Sequence, residues 1–326
     1  MKRLFSGAQP TGTLHLGNYI GAIKNWVELQ NKYDCIFSIV DLHAITIEYN
    51  QKSMREKILD LAKTYIACGI EPDKAKLFIQ SQVKQHTELM WILSTVTPLG
   101  ELNRMTQFKD KAKQHSHNIN LGLYSYPVLQ AADILVYKAE FVPVGEDQIQ
   151  HIEITREIAR KFNFRFNTDY LPEPKELLSK GARLMGLDGD SKMSKSKNNF
   201  IGLDEDEKSI MNKLRGAKTD PARIKRTDSG NPKICNMFAW HKIFSSEEEQ
   251  NKCSDGCKTA QIGCVDCKKI LCANINKIIE PIRLKKQELD KDNDYIIDIL
   301  KNGAVKCSNI AEETMIGVRD ILGFNI

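Results

Sequence analysis

The sequence predicts an α/β protein, in which helices cover a parallel sheet and a smaller all-helical domain follows. Up to about residue 175, strand-like and helix-like segments alternate, whereas helical patterns separated by polar loops dominate beyond it. A chain of 326 residues is long enough for two such domains. We therefore expect a first domain over residues 1–175 and a second over 176–289, with a last helix over 290–326 that packs back on the first domain.

The elements of the first domain follow from hydrophobic periodicity. The strand "KRLFSGA" comes first, and "GNYIGAIKNWVELQNK" then has apolar residues at helical spacing. The β-rich run "DCIFSIVDLHAIT" precedes an amphipathic helix that ends at Gly69, and the strand "AKLFIQS" precedes the helical "HTELMWILSTV". Farther on, "AEFVPVG" predicts a strand and "EDQIQHIEITREIARKFN" a long helix. Ligands of such a sheet bind at the carboxyl ends of its strands, near helix N-termini.

Composition narrows the class of protein. A hydrophobic content of 41% and a charged content of 27% are ordinary for a globular chain. No apolar run approaches the roughly 20 residues that span a bilayer, and the N-terminus lacks the apolar core of a signal peptide. We expect a cytoplasmic protein without a membrane partner. The net charge of +5 suits a polyanion such as nucleic acid, although many metabolic enzymes carry as much charge.

The turn after the first strand, "FSGAQPTGTLHLGNYIGA", has the features of an anion site. Gly7, Pro10 and Gly12 allow a tight loop. His15 and Asn18 lie three residues apart at the start of a helix, so their side chains would share one face and add neutral donors to the exposed backbone N–H groups. The alternative is an ordinary strand–turn–helix connection with an incidental histidine.

A second polar segment, "KMSKSKNN" over residues 192–199, lies in a stretch punctuated by glycine and aspartate. Two of its three lysines, Lys192 and Lys195, and its two serines can bind an anion as charge develops on it, and a mobile loop suits donors that are needed most in a transition state. A loop of this composition without a partner motif is usually solvated surface. The first turn supplies the partner motif, so we favour an anion site.

Both segments resemble a known family. "TLHLGN" resembles the "HIGH" element of class I aminoacyl-tRNA synthetases, with Asn18 in place of the second histidine, and "KMSKS" at Lys192–Ser196 matches the second element of that class. The resemblance covers the whole chain. It is closest to the bacterial tryptophanyl-tRNA synthetases, through "GELNRMTQFKDKA", "YPVLQAADILVY" and "VPVGEDQIQHIE".

The resemblance implies a ligase with a Rossmann-like catalytic domain and a helical anticodon-binding domain. The carboxylate of L-tryptophan would attack the α-phosphorus of ATP, with Mg²⁺ present, to form tryptophanyl-adenylate and pyrophosphate. The amino acid would then pass to the 3′ adenosine of tRNA(Trp). A homodimer is also implied. Two rivals stay open: a tyrosyl-tRNA synthetase, which shares the fold, and a non-enzymatic iron–sulfur sensor with a nucleotide-binding fold.

The resemblance further implies roles for single residues. The substrate brings its own nucleophile, so catalysis comes from positioning and from stabilising charge on the phosphates. The residues implied in catalysis are His15, Asn18, Lys111, Lys192 and Lys195, of which Lys111 would contact phosphate or the tRNA acceptor end. Those implied in ATP binding are Gln9, Pro10, Thr11, Gly17, Asn18, Gly145, Glu146, Asp147, Leu184, Lys192, Met193, Ser194, Lys195 and Ser196. Asp147 would accept the ribose hydroxyls; its alternative role is to cap a helix.

Selection of the amino acid would depend on Asp133. This acid lies in the largely apolar "YPVLQAADILVY" and must be paired or exposed. By resemblance it accepts the indole N–H of tryptophan; its alternative role is a helix N-terminal cap. The other residues implied in tryptophan binding are Phe5, Gly7, Gln9, His43, Tyr126, Val142, Val144 and Gln148. Phe5 stands where we expect tyrosine enzymes to have a polar aromatic residue.

Six of the nine cysteines lie between residues 235 and 272, which indicates a metal site rather than disulfides in a chain without an export signal. Cys257, Cys264 and Cys267, with Cys235 upstream, resemble the C-x22-C-x6-C-x2-C motif of tryptophanyl-tRNA synthetases that bind a [4Fe–4S] cluster. The first gap is one residue shorter here, so Cys253 or Cys272 could replace a ligand. Zn²⁺ and a metal-free set of reduced cysteines are the alternatives.

Overall fold

The computed structural model describes residues 1–114, 117–178 and 184–324, apart from the side chains of residues 110–112, 114 and 147. The chain forms two compact units. Met1–Gly12, Asn25–Ser179 and Asp292–Ile326 make the first unit, and Thr13–Lys24 with Lys180–Lys291 make the second. Residues 13–24, which the sequence prediction assigned to the first domain, therefore group with the second unit.

The first unit contains a five-stranded, fully parallel sheet in the order β3–β2–β1–β4–β5. The strands are β1 Arg3–Ala8, β2 Asp34–Ile39, β3 Ala75–Ile79, β4 Phe141–Val144 and β5 Lys175–Leu178. The chain builds outward from β1 through β2 to β3 and then returns to pair β4 with the other side of β1. The strand order thus reverses between β1 and β4, where an open α/β sheet binds its ligand.

The helices are α1 Leu16–Asn18, α2 Lys24–Leu29, α3 Asp41–Ala44, α4 Gln51–Ala67, α5 Gln85–Ser94, α6 Leu99–Asn103, α7 Thr106–Gln114, α8 Leu121–Leu135, α9 Ile149–Arg165, α10 Glu207–Gly216, α11 Asn236–Phe244, α12 Glu247–Lys258, α13 Cys264–Leu289 and α14 Asn293–Ile321. A π-helical turn, Tyr19–Ile23, joins α1 to α2. Within the described residues, no helix is both long enough and apolar enough to cross a membrane.

The α/β prediction is confirmed, and the four strands predicted from the sequence all form. The run from Asp34 ends as a strand at Ile39, and α3 follows it. The edge strand β5 was not predicted, because its four residues are polar or partly exposed and show no buried apolar run.

Close packing explains how α14 covers the sheet of the first unit. A Cβ atom added to Gly303 would lie 1.9 Å from the Leu77 carbonyl oxygen of β3, so the helix backbone rests directly on the strand. Ala304, Cys307, Ala311 and Met315 continue the buried face of the helix. Small residues at the contact permit this approach.

The second unit contains α1, which follows the first turn, and the helices α10 to α13. Helix α13 packs on α10 and α11, and α11 also packs on α12. The segment over residues 192–199, called the lysine loop below, precedes α10 in the chain. Two sequence motifs distant in the chain therefore belong to one compact unit.

Candidate active site

A cavity of about 280 Å³ opens at the carboxyl ends of β1 and β4 in the first unit. The nine residues implied in tryptophan binding all line it: Phe5, Gly7, Gln9, His43, Tyr126, Asp133, Val142, Val144 and Gln148. Its size is near the lower limit of about 300 Å³ for small-molecule sites. The sequence did not predict that Trp26, Gln107, Gln130 and His151 would line the same cavity.

Asp133 is the buried charge of this cavity, with 1% of its surface exposed. It lies inside α8, whose N-terminal cap is Asn120, so the alternative of a helix-capping role is wrong. The Gln80 Nε2 atom donates to both carboxylate oxygens, at 2.7 and 2.9 Å. His86 Nδ1 lies 2.6 Å from Oδ1 and His43 Nε2 lies 2.9 Å from Oδ2.

These contacts determine the charge of Asp133. Burial alone would raise its pKa, but His86 and His43 more than offset that effect and lower the pKa to about 2. The group is therefore a carboxylate at neutral pH and can only accept hydrogen bonds. Both histidine nitrogens that face it must carry protons.

Gln80 and His86 were missed by the sequence reasoning. Gln80 directly follows β3, at the edge of the sheet where ligands bind, and this position was an available signal. His86 lies in the first turn of α5, where nothing in the local pattern distinguishes it from a core residue. It is completely buried, and its Nε2 atom lies 2.7 Å from the Tyr137 hydroxyl.

Tyr126 and His151 form a second polar pair in the cavity. The Tyr126 hydroxyl lies 2.9 Å from His151 Nε2. Burial raises the pKa of Tyr126 to about 12, so the phenol keeps its proton at neutral pH. It thus offers a neutral group to a polar part of a ligand.

In the second unit, the first turn starts α1 through a reciprocal cap. The Asn18 backbone N–H donates to His15 Nδ1 at 3.2 Å, and the His15 backbone N–H donates to Asn18 Oδ1 at 3.1 Å. Since Nδ1 accepts, a neutral His15 ring carries its proton on Nε2. Burial, together with the charges of Lys195 and Lys192, lowers the pKa of His15 to about 4.

Met193 connects the lysine loop to this turn. Its side chain is 2% exposed, and its Sδ atom accepts a hydrogen bond from the Gly17 N–H at 3.3 Å. Lys192 and Ser196 are exposed beside it. Asn199 Oδ1 accepts from the Ser194 N–H at 2.7 Å and so orders the loop from within. The buried methionine thus anchors a segment whose polar residues face outward.

The remaining residues implied in ATP binding are divided between the units. Gln9, Pro10 and Thr11 follow β1, and Gly145 and Glu146 follow β4. Leu184 is buried in the second unit, where its carbonyl accepts from the Met193 N–H at 3.3 Å. The side chains of Lys111 and Asp147 lie outside the described part of the chain, so their roles stay predictions.

A small cavity of about 20 Å³ in the second unit brings cysteines together. Its lining includes the four predicted ligands and one of the two proposed substitutes: Cys235, Cys253, Cys257, Cys264 and Cys267. The other, Cys272, does not line the cavity, and its thiol lies 3.6 Å from the Glu207 carbonyl oxygen. The structure adds a residue that was not predicted: His241 Nε2 lies 3.2 Å from Cys267 Sγ.

His241, Cys253 and Cys267 form a group of potential metal ligands among the described residues, with ligand atoms within 4.8 Å of one another. Positive charge lies close to the sulfurs, since Arg223 donates to Cys257 Sγ at 3.4 Å. Lys268, which also lines the cavity, donates to the carbonyls of Arg215 and Ala217, each at 2.9 Å. The Arg223 charge favours a thiolate at Cys257, but burial outweighs it and raises the pKa of that thiol.

Comparisons with known proteins identify the family. A family model described as tRNA synthetases class I (W and Y) matches residues 1–280. The chain is 49% identical to a tryptophan–tRNA ligase of Deinococcus radiodurans over 99% of both chains, and 44% identical to one of Thermotoga maritima over 97% of this chain and 98% of that protein.

Solved structures agree with this result. A tryptophanyl-tRNA synthetase of Campylobacter jejuni in complex with ADP and tryptophan matches with a TM-score of 0.90 and 36% identity, over 98% of this chain and 99% of that chain. A tyrosyl-tRNA synthetase of Archaeoglobus fulgidus, 21% identical with a TM-score of 0.67, shares the fold. The chain thus belongs to the bacterial tryptophanyl-tRNA synthetases, within the class I tRNA synthetase family.

Proposed function

We propose that the chain is a tryptophan–tRNA ligase, which activates L-tryptophan with ATP and transfers it to the 3′ adenosine of tRNA(Trp). The observation that carries the proposal is the cavity at the ends of β1 and β4, where an ionised, buried carboxylate stands among apolar walls. Such a cavity suits an apolar ring that carries one hydrogen-bond donor, and the indole of tryptophan is such a ring.

Tryptophan binding follows from the lining. Phe5, Val142 and Val144 offer apolar surface to the ring, and Asp133 accepts the indole N–H. Gln9, Tyr126 and Gln148 hold the α-amino and carboxylate groups, and Gly7 and His43 complete the wall. An amino acid without a ring donor leaves one acceptor site of the buried Asp133 unused. Its kcat/KM should therefore be roughly 10⁴-fold lower than that for tryptophan.

Adenylate formation needs charge stabilisation on phosphate. The amino acid carboxylate attacks the α-phosphorus, the bond to the β-phosphate oxygen breaks, and pyrophosphate leaves. Lys192 and Lys195 bind the phosphates, while the His15 ring, neutral because its pKa is about 4, donates from Nε2. Mg²⁺ accompanies ATP. Gly17 allows the loop to approach closely, since a Cβ there would lie 3.3 Å from Met193 Cβ.

We also propose that the cysteine cavity holds a [4Fe–4S] cluster through Cys235, Cys257, Cys264 and Cys267. Four thiols on one cavity are the ligand set that such clusters take, although the cavity would have to widen. A single Zn²⁺ ion, with ligand atoms roughly 3.8 Å apart, would instead suit His241, Cys253 and Cys267. When bound, either group would link α12 to the start of α13 and order this part of the anticodon-binding unit.

Anaerobic purification with iron and zinc analysis distinguishes these metals. A cluster predicts about four irons per chain, lost in Cys264→Ser and retained in His241→Ala. Zinc predicts the reverse dependence. Cys272→Ser is the matched control, because this thiol lies outside the cavity. A chain without either metal would refute the proposed site.

Tryptophan-dependent exchange of pyrophosphate into ATP tests the ligase itself. We expect exchange with tryptophan and little with tyrosine, and charging of tRNA(Trp) in a second assay. Exchange with tyrosine alone would support the tyrosyl rival, and no exchange with either would support a non-enzymatic sensor. The homodimer, which rests on the resemblance, and the cytoplasmic location, which rests on the sequence composition, are also proposals; light scattering of the purified chain tests the dimer.

A further inference from the structure

We propose that His86 and Gln80 are positioning residues, which hold the Asp133 carboxylate with donors that face it and so make this end of the cavity accept, and not donate, a hydrogen bond. The inference rests on the proposed function. It explains how the site distinguishes indole from phenol, which a carboxylate alone does not, because both rings carry a donor.

The first step is the count of hydrogen bonds at Asp133. Its carboxylate can accept about four. Three donor groups reach it: His86 at 2.6 Å, Gln80 at 2.7 and 2.9 Å, and His43 at 2.9 Å. Because one Gln80 N–H shared between the two oxygens counts as a single donor, about one acceptor site of the four remains for a further donor, whereas His86, Gln80 and His43 all face the carboxylate.

The second step is the immobility of His86. The ring is fully buried, so it cannot turn toward solvent. Its second nitrogen lies 2.7 Å from the Tyr137 hydroxyl, and the Tyr137 ring stacks on Phe5 at 5.7 Å between centroids. Phe78 packs edge-on against Tyr137 at 6.0 Å. The His86 donor is thus held toward Asp133 by a packed aromatic cluster, of which Phe5 also lines the cavity.

The third step concerns the ligand. The indole nitrogen of tryptophan donates one hydrogen bond and accepts none, so it matches the remaining capacity. A phenol also donates, but its oxygen brings lone pairs that meet no available donor among His86, Gln80 and His43. A buried acceptor without a donor is disfavoured, so tyrosine is rejected roughly 10- to 100-fold beyond the effect of ring shape.

The test compares tryptophan, tyrosine and benzothienylalanine, in which sulfur replaces the indole N–H, by pyrophosphate exchange. In His86→Leu we expect the ratio of kcat/KM for tryptophan over benzothienylalanine, and likewise over tyrosine, to fall at least about tenfold, mainly through KM for tryptophan. His86→Asn keeps a donor near the Nδ1 position and should restore most of the ratio. Gln80→Met, of similar length but without a donor, should lower the ratio as His86→Leu does.

Tyr65→Phe is the matched control, because it deletes a buried hydroxyl outside this network and should leave all ratios unchanged. Melting curves confirm that each variant folds. If His86→Leu and Gln80→Met weaken the three amino acids equally, the residues only support the fold and the inference is overturned. Absence of tryptophan-dependent exchange in the wild type would instead overturn the proposed function.

Discussion

The two units hold the polar groups of their candidate sites in opposite ways, one buried and one exposed. In the first unit, Asp133 is 1% exposed and held by donors from three separate segments. In the second, Lys192 and Ser196 are exposed on a loop that one buried methionine anchors. We interpret the difference as two modes of binding: preorganised, dry contacts that select a ring in the first unit, and side chains that can move onto a departing phosphate in the second. The predictions below test this contrast.

Asp133→Ala should have the largest effect. Loss of the acceptor should lower kcat/KM for tryptophan by roughly 10³-fold or more, and KM for ATP should change by less than about threefold. Asp133→Asn is the matched variant, because it keeps the shape and loses the charge. Pyrophosphate exchange at varied tryptophan and ATP measures both. Unchanged tryptophan kinetics would remove Asp133 from the binding site.

Lys195→Ala should slow adenylate formation by about 10²-fold with little change in KM for tryptophan, since the charge acts on phosphate in the transition state. Lys197→Ala, an exposed lysine just beyond the motif, is the control and should behave as wild type. Single-turnover kinetics separates the rate from binding. A parallel loss of tryptophan affinity would argue that the loop binds the amino acid instead.

Met193→Ala should lower kcat by about tenfold, because the loop loses its buried anchor and the contact with the Gly17 N–H. Met193→Leu keeps most of the apolar volume and should retain most of the activity. Limited proteolysis of the loop gives a second readout, since a released loop is cleaved faster. Equal activity of the alanine and leucine variants would contradict the anchoring role.

His15 should give the smallest effect, on stability. Its pKa is about 4 in the folded protein and near 6.5 when unfolded, so the unfolded state binds the proton first as pH falls. The free energy of unfolding should therefore decrease from pH 6.5 toward pH 4, by on the order of 1 kcal/mol from this group. Thermal melts at pH 7 and pH 5 of wild type and His15→Gln measure it. An equal pH dependence in the two proteins would contradict this assignment.

Much of the candidate site was predictable because its residues follow strands or stand in contiguous motifs. Phe5, Gly7 and Gln9 lie along and just after β1, and Val142 and Val144 lie on β4, so the parallel sheet brings them to one edge. His86 carried no such signal. It is a buried histidine on α5 whose role depends on a contact 47 positions away. The cysteine spacing predicted a metal site, which stays a prediction, and it gave no signal for His241 of α11, which lies 3.2 Å from the Cys267 sulfur.

The sequence by itself determined the α/β alternation, the two motifs that we propose bind an anion and the acid within an apolar helix, because these depend on periodicity and on neighbours along the chain. Tertiary structure alone decided which donors reach Asp133, from Gln80, His86 and His43 at separations of 53, 47 and 90 positions. It also decided that the lysine loop meets the first turn. Hydrogen bonds form between atoms about 3 Å apart, and the fold determines which distant residues come that close.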